Sequence, residues 1–268
     1  MNKFQKKRKA HRSGFTLIEL VMVVMILAIV AGLAVPVVGW LRRSANYSAQ
    51  ANTTSALASN MEFYRTTYGN NAYPDRMDSL LKADGTLIDY TDGGWGDLFV
   101  AGSITGQALD CLKPMKFVYD HTDTAFEGLQ GNPGNTATIP RAFYGGADPA
   151  LCAVVDVDGT DEPAKLLNEL YPGATVDAAT NTITYNGDVI TLVGFGIGQS
   201  NTSVGRTMAS APLDPRVDNS EVYGRYTAIF AVYETRKGRR AQLKAIVNAK
   251  GRTTNNALSE FNQSLTPE

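Results

Sequence analysis

The distribution of apolar and polar positions divides the chain into three regimes, each predicting a different kind of element. From Phe15 to about Leu41 the residues are almost continuously apolar. As one helix rising about 1.5 Å per residue, that run is long enough to cover a hydrocarbon layer of roughly 30 Å. Ser44 to Asn60 is rich in Ala, Ser, Asn and Thr. Leu57, Met61, Tyr64 and Tyr68 then recur at spacings of four, three and four, the stripe of an amphipathic helix, before Gly69 and Asn70-Asn71 end it. One helix is therefore predicted from about Phe15 to Tyr68. Its first half is apolar all round, and its second half buries a stripe of core residues.

Beyond Tyr73 the apolar runs are short and bounded by glycine and turn residues. Lys116 to Tyr119, Ala153 to Val157, Val189 to Phe195, Tyr226 to Tyr233 and Gln242 to Val247 read as strands, the last two joined as a hairpin across Lys237-Gly238-Arg239-Arg240. The expected class is α+β: a long N-terminal helix, part membrane-type and part amphipathic, packed on a mostly antiparallel β-sheet head. Four segments follow: a basic leader (1–14), a transmembrane helix (15–41), its amphipathic continuation (42–68) and a globular head (69–268). No internal repeat is evident, and Leu258 to Glu268 reads as a polar tail.

Charge sharpens this division. Residues 1–14 hold six basic side chains and no acidic one. Without them 19 basic residues remain against 26 acidic, a net of −7 that repels phosphate backbones, so no nucleic-acid partner is expected. A basic leader ahead of an apolar run keeps the N-terminus cytoplasmic and sends the head across the membrane. A secretory signal would end in a small-residue cleavage site, and none is obvious before Trp40 and the pair Arg42-Arg43.

Glu19 does not fit a simple anchor, because an ionisable side chain in an apolar helix costs a few kcal/mol and calls for a partner. No basic residue within one turn supplies one. A new α-amino group at Phe15 of a neighbouring chain would, and cleavage after Gly14 creates it. The stretch Gly14-Phe15-Thr16-Leu17-Ile18-Glu19-Leu20 behind its basic leader resembles the class III signal of type IV pilins and type II secretion pseudopilins. The resemblance implies that a membrane-embedded prepilin peptidase cuts after Gly14 and methylates Phe15. It also implies that Glu19 docks subunits into a helical filament on an inner-membrane assembly platform. The partners are then identical and related pilin-like subunits, the peptidase/methyltransferase, the platform and membrane lipid. Gly32 and Pro36 interrupt the apolar run. Pilins of this kind carry a proline at the matching place, so Pro36 marks either a segment that loosens in the filament or a plain kink. Phe63-Tyr64-Arg65 through Tyr73-Pro74 to Leu80-Leu81 is similar to the helix exit of major pseudopilins, where a short helix follows the tyrosine-proline step.

The head offers little chemistry. Cys111 and Cys152 lie on the exported side, where a disulfide is expected to staple the head, although 116 residues follow Cys152 and family disulfides sit nearer the C-terminus. Asp156, Asp158 and Asp161 alternate around Gly159 and are candidate Ca²⁺ ligands, against the reading of a solvated acidic turn. Major pseudopilins bind calcium in their heads; no cofactor is required. Arg236, Lys237, Arg239, Arg240 and Lys244 form a basic cluster read as a hairpin tip. The two histidines, His11 and His121, leave little for a transition-metal site or a histidine-based triad. Gly-x-Ser-x-Gly, His-Glu-x-x-His and phosphate-loop patterns are absent, and Gly194-Phe195-Gly196-Ile197-Gly198 reads as a strand end or turn.

The function expected is that of a structural subunit, not an enzyme: cleaved after Gly14, N-methylated and polymerised into a type II secretion pseudopilus. The alternative within the class is a major or minor type IV pilin serving adhesion, motility or DNA uptake. From another class, the alternative is a membrane-anchored exported enzyme or calcium-dependent binding protein. The location expected is the inner membrane, crossed once, with a cytoplasmic N-terminus and an exported head that joins a periplasmic or extracellular filament.

Overall fold

A computed structural model describes residues 16–88, 98–121, 137–146, 148–217 and 223–265. Within helix α1 it leaves the side chains of residues 33–37 and Trp40 undescribed. Residues cluster into two compact units, Met1–Ala45 and Asn46–Glu268.

The described part of the first unit is the leading half of α1 (Leu17–Thr67), a single 51-residue helix that continues through Pro36. Its apolar side chains from Leu17 to Val30 are all exposed. Among the described residues no helix is long and apolar enough to cross a membrane. The span expected over 15–41 includes Phe15 and the undescribed side chains of 33–37 and Trp40, so the described apolar stretch stops at Gly32.

The second unit begins with the rest of α1. Ser44 to Asn60 is helix throughout and contributes buried Gln50 and Thr54. Leu57, Met61 and Tyr64 are buried as their spacing requires, whereas Tyr68, past the helix end, is exposed. The helix exit is pinned by polar contacts: the Tyr73 hydroxyl donates to Glu62 Oε1 at 2.5 Å and accepts from the Leu243 amide at 3.1 Å.

Among the described residues the head is a curled ten-stranded sheet with three short helices: β1 (Met77–Lys82), β2 (Phe99–Ile104), α2 (Gly106–Cys111), β3 (Phe117–His121), β4 (Ala137–Ala142), β5 (Ala150–Val155), α3 (Glu162–Leu170), β6 (Thr175–Asp177), β7 (Thr182–Tyr185), β8 (Asp188–Gly196), β9 (Thr227–Tyr233), β10 (Gln242–Val247) and α4 (Thr254–Leu265). Its main path runs β10-β9-β8-β1-β3-β4, with β2-β5 and β6-β7 branching from β8. All pairs are antiparallel except β1 with β3. The predicted β9–β10 hairpin is present.

Three expectations are corrected here. The polar C-terminal segment is mostly the helix α4. Thr253 accepts the Asn256 amide at 3.2 Å to start it, and its own hydroxyl donates to Glu169 on α3 at 2.6 Å. A local cap and a tertiary contact thus hold the start of this helix. The segment after Tyr73-Pro74 forms β1, not a short helix. Leu80 adopts φ +63° in a bulge that shifts the β1–β3 register, and Asp78 to Leu81 are all buried. Cys111 and Cys152 are both buried free thiols, so the expected disulfide is absent. Cys111, at the end of α2, accepts the Tyr233 amide at 3.4 Å and donates to the Gln107 carbonyl at 3.3 Å. Cys152 packs within β5 opposite Gly102, and burial pushes its thiol up to about 12. Each sulfur is held in its own packing environment on a different element.

The glycines at the end of β8 have a packing reason. One edge of β8 pairs with β9 along most of its length, while the other is shared in turn by β7 at Ile190, β5 at Val193 and Gly194, and β1 at Gly196. A Cβ at Gly194 would stand 2.3 Å from the Phe99 ring, and one at Gly196 would stand 2.1 Å from the Tyr223 hydroxyl. Neighbours can close on β8 there only because no side chain intervenes. Gly194→Ala is expected to displace buried Phe99, cost about 1–3 kcal/mol by overpacking and lower the melting temperature by roughly 5 °C. Thermal melts of the full chain in detergent measure this, and an unchanged melt refutes it.

Candidate functional site

The leading end of α1 is organised by two residues, Thr16 and Glu19. Thr16 precedes the first helical residue, its hydroxyl accepts the Glu19 amide at 3.3 Å, and its own amide donates to Glu19 Oε2 at 2.8 Å. This reciprocal pair is a capping box, which satisfies two of the amides that a helix start leaves open. The Thr-x-x-Glu spacing ahead of an apolar run is a sequence signal for it, and reading Glu19 only as an intermolecular charge overlooked that signal. Glu19 therefore has a local partner within the chain. The carboxylate also sits in the first turn, where the helix dipole favours negative charge.

Gly14 and Phe15, the predicted processing pair, lie outside the described residues. Pro36 is helical in backbone and its side chain lies outside them. Immediately after the cap, Leu17 is 81% exposed, and the exposed apolar surface continues around the helix. A surface apolar on every side is characteristic of a helix meant to be surrounded by lipid or by other helices.

Within the head, α1 is gripped by polar contacts as well as by its apolar stripe. The Gln50 amide donates to Asp214 Oδ2 at 2.6 Å, and Asn248 donates to Gln50 Oε1 at 3.4 Å. Both Gln50 and Asp214 are buried. This network ties the helix to the loop before β9 and to the residue after β10.

The other predicted residues do not assemble into a ligand site. Among the described residues no group of three or more His, Cys, Asp or Glu side chains could hold a metal ion. Asp156, Asp158 and Asp161 lie on one loop without forming such a group. The Asp156 carboxylate is turned onto its own loop, accepting the Asp158 amide at 3.2 Å, and Asp161 leads into α3. The basic hairpin tip is partly engaged within the head: Arg236 and Arg239 share Asp188, Arg239 lies 3.8 Å over the Tyr233 ring, and Arg240 donates to the Asn71 carbonyl at 3.2 Å.

Buried titratable groups between β1 and β3 escaped the sequence reading. Asp78 is fully buried, accepts the Tyr223 hydroxyl on Oδ2 at 2.7 Å and has no hydrogen bond to Oδ1. Burial raises its carboxyl to about 7, against the lowering effects of Tyr223 and Arg225. His121 is fully buried edge-on to Tyr223, with ring centroids 5.6 Å apart, and burial lowers it to about 3. Beside them Arg141 pairs with Asp120 at 2.7 Å, and Asp120 also accepts the Ser79 hydroxyl. No chain spacing marks Asp78 and His121 as members of one cluster: they lie on β1 and β3, and Tyr223, from the stretch before β9, contacts both.

Comparison with known proteins places one segment. Residues 9–35 match the family model of the prokaryotic N-terminal methylation motif. No curated protein and no solved structure matches the chain. The capped, apolar start of α1 thus lies inside a recognised processing signal, and the chain carries at its N-terminus the class III signal of type IV pilins and pseudopilins.

Proposed function

We propose that this chain is a structural subunit, cut after Gly14, methylated on Phe15 and polymerised through α1 into a filament of the cell envelope, specifically a type II secretion pseudopilus. One observation carries the reading: a methylation motif leads into a helix whose first half exposes apolar side chains all round, while its second half buries one face in the head. Exposed apolar area of that extent calls for cover by lipid or by other helices. In the membrane, the 15–41 run anchors the subunit with the leader in the cytoplasm and the head exported. In the filament, the same surface packs against helices of other subunits.

A type IV pilus is the second reading, and one feature favours it. The strand β1 stands where the likeness to major pseudopilins implies a short helix. Two measurements on cells decide. Mass spectrometry of filament subunits is expected to find N-methylated Phe15 as the first residue, and an intact Gly14-Phe15 bond in assembled filaments refutes the processing. In cells lacking the chain, exoproteins trapped in the periplasm support secretion, whereas normal secretion with lost surface fibres moves the assignment to the pilus.

A further inference from the structure

From Leu20 to Met61 the only charged side chains are Arg42 and Arg43. Both are exposed, and among the described residues neither forms an ion pair. They follow directly on Leu41, the end of the apolar run, and the sequence turns polar at Ser44 and Asn46. As consecutive helical residues they project about 100° apart, so two guanidinium groups fan out around one level of the helix.

Their position along the helix is informative. Glu19 and Arg42 are 23 residues apart, which at 1.5 Å per residue is about 35 Å. That slightly exceeds the roughly 30 Å of a hydrocarbon layer. When the arginines stand at one headgroup layer, Glu19 stands at the other. Basic residues on the exported side also run against the usual bias of membrane topology, so orientation does not account for them. Guanidinium does match phosphate: its fork of N–H donors binds two oxygens at once, and it is less tightly hydrated than an ammonium group.

We propose that Arg42 and Arg43 form a binding site for the phosphate groups of anionic phospholipid at the exported surface of the membrane, setting the depth of α1 and holding Glu19 at the cytoplasmic headgroups. The proposal rests on the membrane-anchored reading above. It changes the cost attached to Glu19. Before assembly the carboxylate is not dissolved in hydrocarbon but capped by Thr16 at a wet boundary, and its transfer to an apolar environment accompanies extraction into the filament.

The test uses the full chain with Trp95→Phe, so that Trp40 is the sole emitter, at one subunit per lipid nanodisc. Quenching of Trp40 by brominated phosphatidylglycerol is compared with quenching by brominated phosphatidylcholine. At about fivefold per arginine, a preference of roughly thirtyfold for the anionic lipid is expected, falling to near unity in the Arg42→Gln/Arg43→Gln chain. Equal quenching by both lipids in a chain that inserts normally overturns the site and leaves the filament reading intact. Failure to insert into either disc overturns the membrane reading itself. Loss of the preference on adding inorganic phosphate overturns the lipid assignment in favour of a general phosphate site. A preference or depth change seen only with two subunits per disc assigns the arginines to a neighbour's carboxylates and overturns the proposal.

Discussion

Asp78→Asn is expected to make the stability of the head fall steeply below about pH 6.5, where the unmodified chain holds nearly constant. The reason lies in two buried groups whose titrations oppose each other. The Asp78 carboxyl is raised from 3.8 to about 7, so its contribution is full below the unfolded value and is lost as pH rises through about 7. The His121 ring is lowered from 6.5 to about 3, so its contribution is full above the unfolded value and is lost as pH falls through about 3. Between about pH 4 and 6.5 the folded head holds one proton more on Asp78 and one fewer on His121 than the unfolded chain. Each group alone would tilt stability by about 1.4 kcal/mol per pH unit, in opposite directions. Asparagine keeps an acceptor for the Tyr223 hydroxyl but removes the titration. The His121 slope then stands uncovered, on the order of 4 kcal/mol across its window. His121→Phe is expected to give the mirror image, with stability falling from pH 4 towards 7. Denaturant melts of the full chain in detergent between pH 4 and 8 provide the measurement. A profile unchanged by Asp78→Asn would mean that the compensation does not exist.

Glu19→Ala is expected to reduce assembled filament by at least about a hundredfold, while Thr16→Val reduces it only several-fold. The capping box contributes about 1 kcal/mol to the helix start, and either substitution removes it. If Glu19 also pairs with the Phe15 amino group of a neighbour, its loss strands a charge in an apolar filament core, costing about 3–5 kcal/mol. The two variants thus separate a local from an intermolecular role. Glu19→Gln, which keeps hydrogen-bonding capacity without charge, should behave like alanine. Sheared filament per cell is the readout, with mass spectrometry confirming that each variant is still cut after Gly14. Equal losses from Thr16→Val and Glu19→Ala would reduce Glu19 to a helix cap.

The long helix was legible in the sequence because its signals are local. The spacing of Leu57, Met61 and Tyr64 and the stop at Gly69 required no knowledge of the rest of the chain, and α1 ends at Thr67. The strands β3, β5, β8, β9 and β10 were legible for a similar reason: each is a short β-branched or aromatic run between turn residues. What escaped depends on distant partners. The likeness to the helix exit of major pseudopilins implied a short helix where β1 forms, and pairing with β3 and β8 makes that segment a strand. α4 needs Glu169 on α3 to hold its first turn. The cysteines were judged by compartment, which permits a bond but does not bring two sulfurs together. At the site, the processing motif was legible and the Thr16 cap was legible but unread. The Asp78–Tyr223–His121 cluster was not, since its members come from three separate stretches of chain.

The shared edge of β8 also governs when the head can form. A chain emerging N-terminus first releases β1, β3 and β4 early, yet β1 must wait for Gly196, more than a hundred residues later, to reach its partner. β8 in turn needs β9, which ends only at Tyr233. Contacts so distant in sequence make folding slow and leave strand edges open during the delay. Until the last fifth of the chain has appeared, the earlier strands have no completed sheet to join. The interval between emergence and closure is therefore when the strand edges of this head are most open to proteolysis and to mispairing.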